Sequence, residues 1–153
     1  MAESRFVYVT YIRTTPETLW QALIDPDFTR RYWCETWQES QWKPGSPWGI
    51  KAPDGRMIDS GEIIELEPHR RLVLTWRKEL FHEVHAEGFS RLTIELEPVG
   101  ESVKLSLVHE IDYPRSKLIE SVSGGWPAIL ASLKSLLETG ESLELTRHWP
   151  KGV

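Results

Sequence analysis

Three groups of residues in this chain carry side chains able to do chemistry. The first is His82-Glu83-Val84-His85, joined further along by His109. Zinc takes three or four ligands from a rigid frame, and two histidines three apart in a loop lack the helical HExxH spacing, so no metal site is read here. His109 taken alone is the one candidate for acid–base work. It ends an otherwise apolar strand face, a position from which it can meet a ligand or move a proton in the interior. A hydrogen-bonded structural histidine fits the same position. The second group is Cys34, the only cysteine. A thiol becomes a nucleophile only beside an activating base, and the sequence places none, so Cys34 reads as a small packing residue. The third is the set Glu62, Glu65, Glu67, Glu95 and Glu97, which alternate along strands and face solvent, so that no buried acid stands out. There is no phosphate-binding glycine loop, no Ser-His-Asp arrangement and no nucleotide motif, because Gly124-Gly125 follows no strand of a βαβ unit. No cofactor is implied.

Recognition is better represented than catalysis. Eight tryptophans are far more than a core of this size needs. Tryptophan is a large amphipathic body that lines cavities as readily as it fills cores, and an aromatic wall selects flat or apolar ligands by area and stacking. Trp33, Trp37, Trp42 and Trp48, with Trp20, Trp76 and Trp126, are the candidates for such a wall. Tyr8, Tyr11, Tyr32 and Arg91 are candidate polar anchors inside it or at its mouth.

These side chains must be positioned by the elements that the hydrophobic pattern defines. Phe6 to Arg13 is β-branched and aromatic and reads as the first strand. Thr15-Pro16-Glu17 supplies an N-cap, a proline at the first helical position and an acid in the first turn of a helix that Asp25-Pro26 stops. A second short helix spans Asp27 to Tyr32. Trp33 to Ala52 reads as short strands joined by turns, and Pro53-Asp54-Gly55 as a hairpin turn. Gly61 to Glu67 and Arg71 to Lys78 form the next strand pair, followed by a loop from Glu79 to Glu87. Ser90 to Glu97 turns Leu92, Ile94 and Leu96 inward, and Val103, Leu105, Leu107 and His109 share a face on the next strand. Last comes an amphipathic helix, SGGWPAILASLKSLLETG, with Trp126, Ile129, Leu130, Leu133, Leu136 and Leu137 at the helical period and Ser132, Ser135 and Glu138 opposite. Pro127 is expected in its first turn and Gly140 at its C-cap, with at most a separate turn of helix between Ser116 and Val122. Leu130 and Leu133, with Trp126, are where this helix should meet a ligand.

The 153 residues suffice for one domain, and one cysteine forbids an internal disulfide, which fits a reducing cytoplasm. No run approaches the roughly 20 apolar residues of a membrane span, and the N-terminus has no apolar leader. The net charge is −5, with basic residues in scattered pairs, which excludes the phosphate footprint of a nucleic-acid binder. A cytoplasmic monomer or homodimer is expected.

In order and wording, four segments resemble a known superfamily: TPETLWQALIDPDFTRRYW, PDGRMIDSGEIIELEPHRRLVLTW, SRLTIELEP with VKLSLVHE, and GGWPAILASLKSLLETG. The chain is similar to the START-like, or SRPBCC, helix-grip domains, in particular the branch homologous to activators of the heat-shock protein 90 ATPase. The resemblance implies an α+β fold, in which a curved antiparallel sheet of six or seven strands grips the long C-terminal helix, with two short helices after the first strand and a cavity between sheet and helix. It places one domain over residues 1–140 and leaves 141–153 as a tail. Members carry lipids or hormones, cyclise or dehydrate polyketides, or stimulate a chaperone. The expected function is therefore binding of a small hydrophobic or aromatic ligand, as a carrier or sensor, among Trp20, Trp33, Trp37, Trp48, Trp76, His109, Trp126, Leu130 and Leu133. The alternatives are a cyclase or dehydratase using His109 or a tyrosine, and a protein-binding module with a chaperone as partner.

Overall fold

A computed structural model describes residues 2–153. The elements run β1 (Ser4–Ile12), α1 (Pro16–Ile24), α2 (Pro26–Tyr32), β2 (Trp37–Ser40), β3 (Pro47–Lys51), β4 (Met57–Glu67), β5 (Arg71–Lys78), α3 (His82–His85), β6 (Ser90–Val99), β7 (Ser102–Ile111) and α4 (Lys117–Thr139). The strands form one antiparallel sheet in the order β1-β7-β6-β5-β4-β3-β2. The sheet curves, and α4 packs against it: this is the helix-grip arrangement.

Period-2 alternation decides which face of the sheet is dry. On β6 and β7, Leu92, Ile94, Leu96, Val103, Leu105, Leu107 and His109 are buried as expected and join Leu72, Leu74 and Trp76 of β5 under the helix. At the entrance to α1, Thr15 accepts a hydrogen bond from the Thr18 amide and Pro16 follows it. Asp25 closes α1 and caps α2 in the same stroke, its side chain accepting from the Asp27 amide at 2.8 Å.

Three expectations are corrected. First, α4 begins at Lys117, not near Gly124, so Pro127 and the two glycines lie inside the helix. The earlier start has a tertiary cause. The Ser116 hydroxyl accepts from the Ile119 amide, the Glu87 carboxylate accepts from the Lys117 amide at 2.7 Å, and Leu118 and Ile119 are buried. These contacts outweigh the weak helix propensity of the glycines and proline. Second, Ser132 is fully buried although the helical pattern puts it on the polar side. Residues after Gly140 cover that face, and Ser132 Oγ accepts from the Leu143 amide at 2.9 Å. Third, the loop 79–87 contains the one-turn helix α3.

Residues 141–153, read from sequence as a tail, pack back on the domain. They include a 3-10 turn at Glu144–Thr146, and the Cys34 amide donates to the Thr146 carbonyl at 2.8 Å. Trp149 packs on the core. No helix among the described residues is long and apolar enough to cross a membrane.

Candidate functional site: a tryptophan-walled cavity

Two local features shape the site. At the end of α2 the chain turns through two consecutive residues in the left-handed region, Cys34 at φ 51° and Glu35 at φ 62°. Such a pair costs conformational energy for non-glycine residues and persists only where surrounding contacts enforce it. Here the Thr146 carbonyl holds the Cys34 amide, and Trp33 accepts from both the amide and the hydroxyl of Thr36. In β4, a Cβ on Gly61 would lie 1.8 Å from the Thr75 carbonyl oxygen, so only glycine permits this approach of the two strands. Register shifts between Ile63 and Glu65, and the Glu62 amide bonds to Thr75 Oγ1 instead of to the ladder. The bend separates the regular half of β4 from its first half, which carries Asp59 opposite Lys78.

Between these features lies a cavity of about 330 Å³. Trp33, Trp76, Trp126 and Trp149 wall it, with Ile58, Val122 and Ile129 among the aliphatic contacts and Leu80 and Phe81 at the α3 side. The rings hold one another in place. Trp33 meets Trp126 edge-on at 5.2 Å between centroids and lies nearly parallel to Trp76 at 6.2 Å, while Trp76 and Trp126 are T-shaped at 5.6 Å. Trp48 buttresses Trp76 from behind at 4.9 Å, and its indole N–H donates to Gln38 Oε1. Offset and edge-on contacts of this kind are the favourable aromatic geometries, so the walls are rigid before any ligand arrives.

Asp59 supplies the polar end. It is buried, accepts a hydrogen bond from Trp76 Nε1 at 2.9 Å on Oδ1, and has the Lys78 ammonium 3.7 Å from the same oxygen. Burial pushes its carboxyl up to about 6 in spite of Lys78. Cys34 also lines the cavity; burial and the neighbouring Glu35 raise its thiol, against an opposing effect of Lys78, so it is not an activated thiolate.

His109 lies behind the wall rather than in it. The Trp126 indole, which can only donate, bonds to His109 Nδ1 at 3.1 Å; His109 Nε2 lies 2.8 Å from Ser90 Oγ, whose proton goes to the Trp76 carbonyl. Both ring nitrogens are therefore engaged, the ring is the Nε2–H tautomer, and burial lowers its pKa to about 3. This is the geometry of a positioning residue that ties Trp126 of α4 to Trp76 of β5.

Of the residues singled out in the sequence, Trp33, Trp76 and Trp126 come together at the cavity, and Leu130 joins them around a separate void of about 20 Å³. Leu133 and Trp48 are core residues; Trp20 is buried with its ring edge-on to His69; Trp37 is half-buried on β2 beneath the Arg30 guanidinium. Tyr11 and Arg91 are exposed, Tyr8 is half-buried, and the buried Tyr32 hydroxyl donates to the Ala22 carbonyl. His82 and His85 sit on α3, where His85 reaches Glu79 at 3.3 Å. Sequence reasoning passed over Asp59, Lys78 and Trp149. The available signal for Asp59 was a carboxylate directly after Ile58 in the strand-like run MIDS, and for Trp149 a large aromatic residue in a terminal segment without a regular hydrophobic period.

Fold and site together define a helix-grip α+β domain with an aromatic cavity at one end of the gripped helix. The family model described as Activator of Hsp90 ATPase homolog 1-like protein matches residues 13–138, and the chain belongs to that family. No curated protein matches it. Among solved structures, the chain is similar to protein MLL2253 from Mesorhizobium loti, with a TM-score of 0.74 and 23% identity over 88% of this chain and 96% of that one. It is also similar to CalU16 from Micromonospora echinospora, with a TM-score of 0.70 and 20% identity over 89% and 77% of the two chains. The Aha1 dimer from Colwellia psychrerythraea gives a TM-score of 0.70 and 18% identity over 90% and 98%. At these identities the likeness is one of fold.

Proposed function

We propose that this protein is a cytoplasmic carrier or sensor that binds a small, flat, predominantly apolar ligand between the sheet and α4. The observation that carries this reading is the cavity itself: about 330 Å³ lined by four tryptophans, of which Trp33, Trp76 and Trp126 brace one another and Trp76 and Trp126 are also held by buried hydrogen bonds. That volume lies at the small end of the range for small-molecule sites, matching a two- or three-ring arene rather than a long-chain lipid. Residues 141–153 form part of the binding unit, because Trp149, Pro150 and Val153 line the cavity.

Cys34 provides the test, since it is the only thiol and lines the same space. A bound ligand slows its alkylation by iodoacetamide, followed by intact mass, and raises the melting temperature in a screen of bicyclic and tricyclic arenes. Ile129→Trp fills the cavity and removes both effects. If no arene protects Cys34, or if the filled variant is protected equally well, the carrier reading fails.

One observation favours an enzyme as second reading. Asp59 is a buried carboxyl with a raised pKa beside an ammonium group in a pocket, an environment suited to proton transfer. Turnover lost in Asp59→Asn but kept in His109→Gln would support it.

A further inference from the structure

The apolar walls account for affinity but not for the two charged groups at one end of the cavity. Asp59 Oδ1 is occupied by the Trp76 indole, whereas among the described residues no group donates to Oδ2. Lys78 stands 3.7 Å from Oδ1, beyond a good hydrogen bond, and makes no other side-chain hydrogen bond among the described residues. Both residues line the cavity. The cavity thus ends in one unused acceptor and one underused cationic donor, close enough for a single ligand atom to serve both.

The chemistry of that pair is selective. A carboxylate ligand would face Asp59, and an ammonium ligand would face Lys78; each leaves a like charge beside it in a poorly solvated space. A plain hydrocarbon leaves both groups desolvated without a partner, which is the costly case. A neutral hydroxyl does neither. It donates its proton to Asp59 Oδ2 and accepts from Lys78 Nζ with the same oxygen, while its ring lies among Trp33, Trp126 and Trp149.

We infer that Asp59 and Lys78 form the recognition end of the cavity and select neutral, hydroxyl-bearing aromatic ligands of the phenol or naphthol type. This assignment rests on the carrier reading above and adds the ligand class to it.

Four probes of nearly equal shape test it: naphthol, naphthalene, naphthoate and naphthylmethylamine, each titrated against the full chain at neutral pH with Cys34 protection and tryptophan fluorescence as readouts. Naphthol is expected to bind at least about tenfold more tightly than naphthalene, the size of a hydrogen bond to charged partners, with the two ionised probes weaker than naphthol. In Asp59→Asn the hydroxyl proton loses its acceptor, and in Lys78→Met the oxygen loses its donor, so either variant brings the naphthol-to-naphthalene ratio to within about threefold of unity. Equal binding of naphthol and naphthalene overturns the hydroxyl assignment and leaves the carrier reading intact. Tightest binding by naphthoate or by naphthylmethylamine overturns it as well. Failure of all four probes to protect Cys34 overturns both.

Discussion

The indole N–H of Trp126 donates to Nδ1 of His109 at 3.1 Å, and this bond turns a candidate catalytic histidine into the brace of a binding wall. Because Nε2 is engaged by Ser90, and Ser90 in turn by the Trp76 carbonyl, one chain of hydrogen bonds joins the Trp126 indole to the backbone of Trp76, whose ring meets Trp126 edge-on at 5.6 Å. Protonating the imidazole would break the Trp126 link, since Nδ1 would become a donor facing a donor.

A pH dependence follows. Burial holds the folded-state pKa of His109 at about 3, below its ordinary value of 6.5. Between these values the unfolded chain binds the proton and the folded one does not, so the contribution is complete above pH 6.5 and is lost as the pH falls toward 3. His109→Gln is expected to cost about 1 to 3 kcal/mol at pH 7, through the altered buried network. It should also flatten the decline in urea stability between pH 6.5 and 4. An unchanged slope would show that His109 does not set it.

Asp59 works in the opposite direction. Its folded-state pKa, about 6, lies above the ordinary 3.8, so the folded state holds the proton more tightly and stability falls as pH rises from 3.8 to 6. Above pH 6 the buried charge costs about 3 kcal/mol. Asp59→Asn keeps an acceptor for the Trp76 indole and removes the charge. It should therefore raise the melting temperature at pH 8 by several degrees and leave it nearly unchanged at pH 4, as differential scanning calorimetry would show.

The two glycines of α4 separate stability from binding. A Cβ at either Gly124 or Gly125 meets nothing within 4 Å, and both lie within the helix, so alanine at each should stabilise by about 0.5 to 1 kcal/mol. Only Gly125 lines the cavity. Gly125→Ala is expected to weaken arene binding several-fold while Gly124→Ala leaves it alone, as titration of the two variants would reveal.

Gly61 has no such freedom. With a Cβ placed 1.8 Å from the Thr75 carbonyl oxygen, Gly61→Ala forces β4 away from β5 at the bend that sets Asp59 against Trp76 and Lys78. A loss of about 3 kcal/mol in urea unfolding is expected, together with loss of arene protection at Cys34. A variant as stable as the native protein would show that the bend does not depend on this glycine.

Period and punctuation determined most of the architecture from sequence alone. Alternation along β6 and β7 fixed which side chains face the helix, because these strands have two faces and only one is dry. Thr15, Pro16 and Asp25 marked the ends of α1, because capping is chemistry local to a few residues. Size and type marked Trp33, Trp76 and Trp126 as wall candidates alongside Trp20, Trp37, Trp42 and Trp48, and only the fold separated the three that line the cavity from the rest. What only the tertiary structure decided depends on partners distant in the chain. Glu87 starts α4 at Lys117, about two and a half turns before the apolar stripe that begins at Trp126, and residues near Leu143 bury Ser132 on the helix's polar side. The roles of His109 and Asp59 were exchanged relative to their sequence appearance. A histidine on an inward strand face becomes inert once an indole and a hydroxyl occupy both its nitrogens, whereas an unremarked aspartate becomes the cavity's polar end because a glycine bend carries it, still half-satisfied, beneath a tryptophan. No local pattern encodes either outcome, since hydrogen-bond satisfaction is settled by which groups the fold brings within reach.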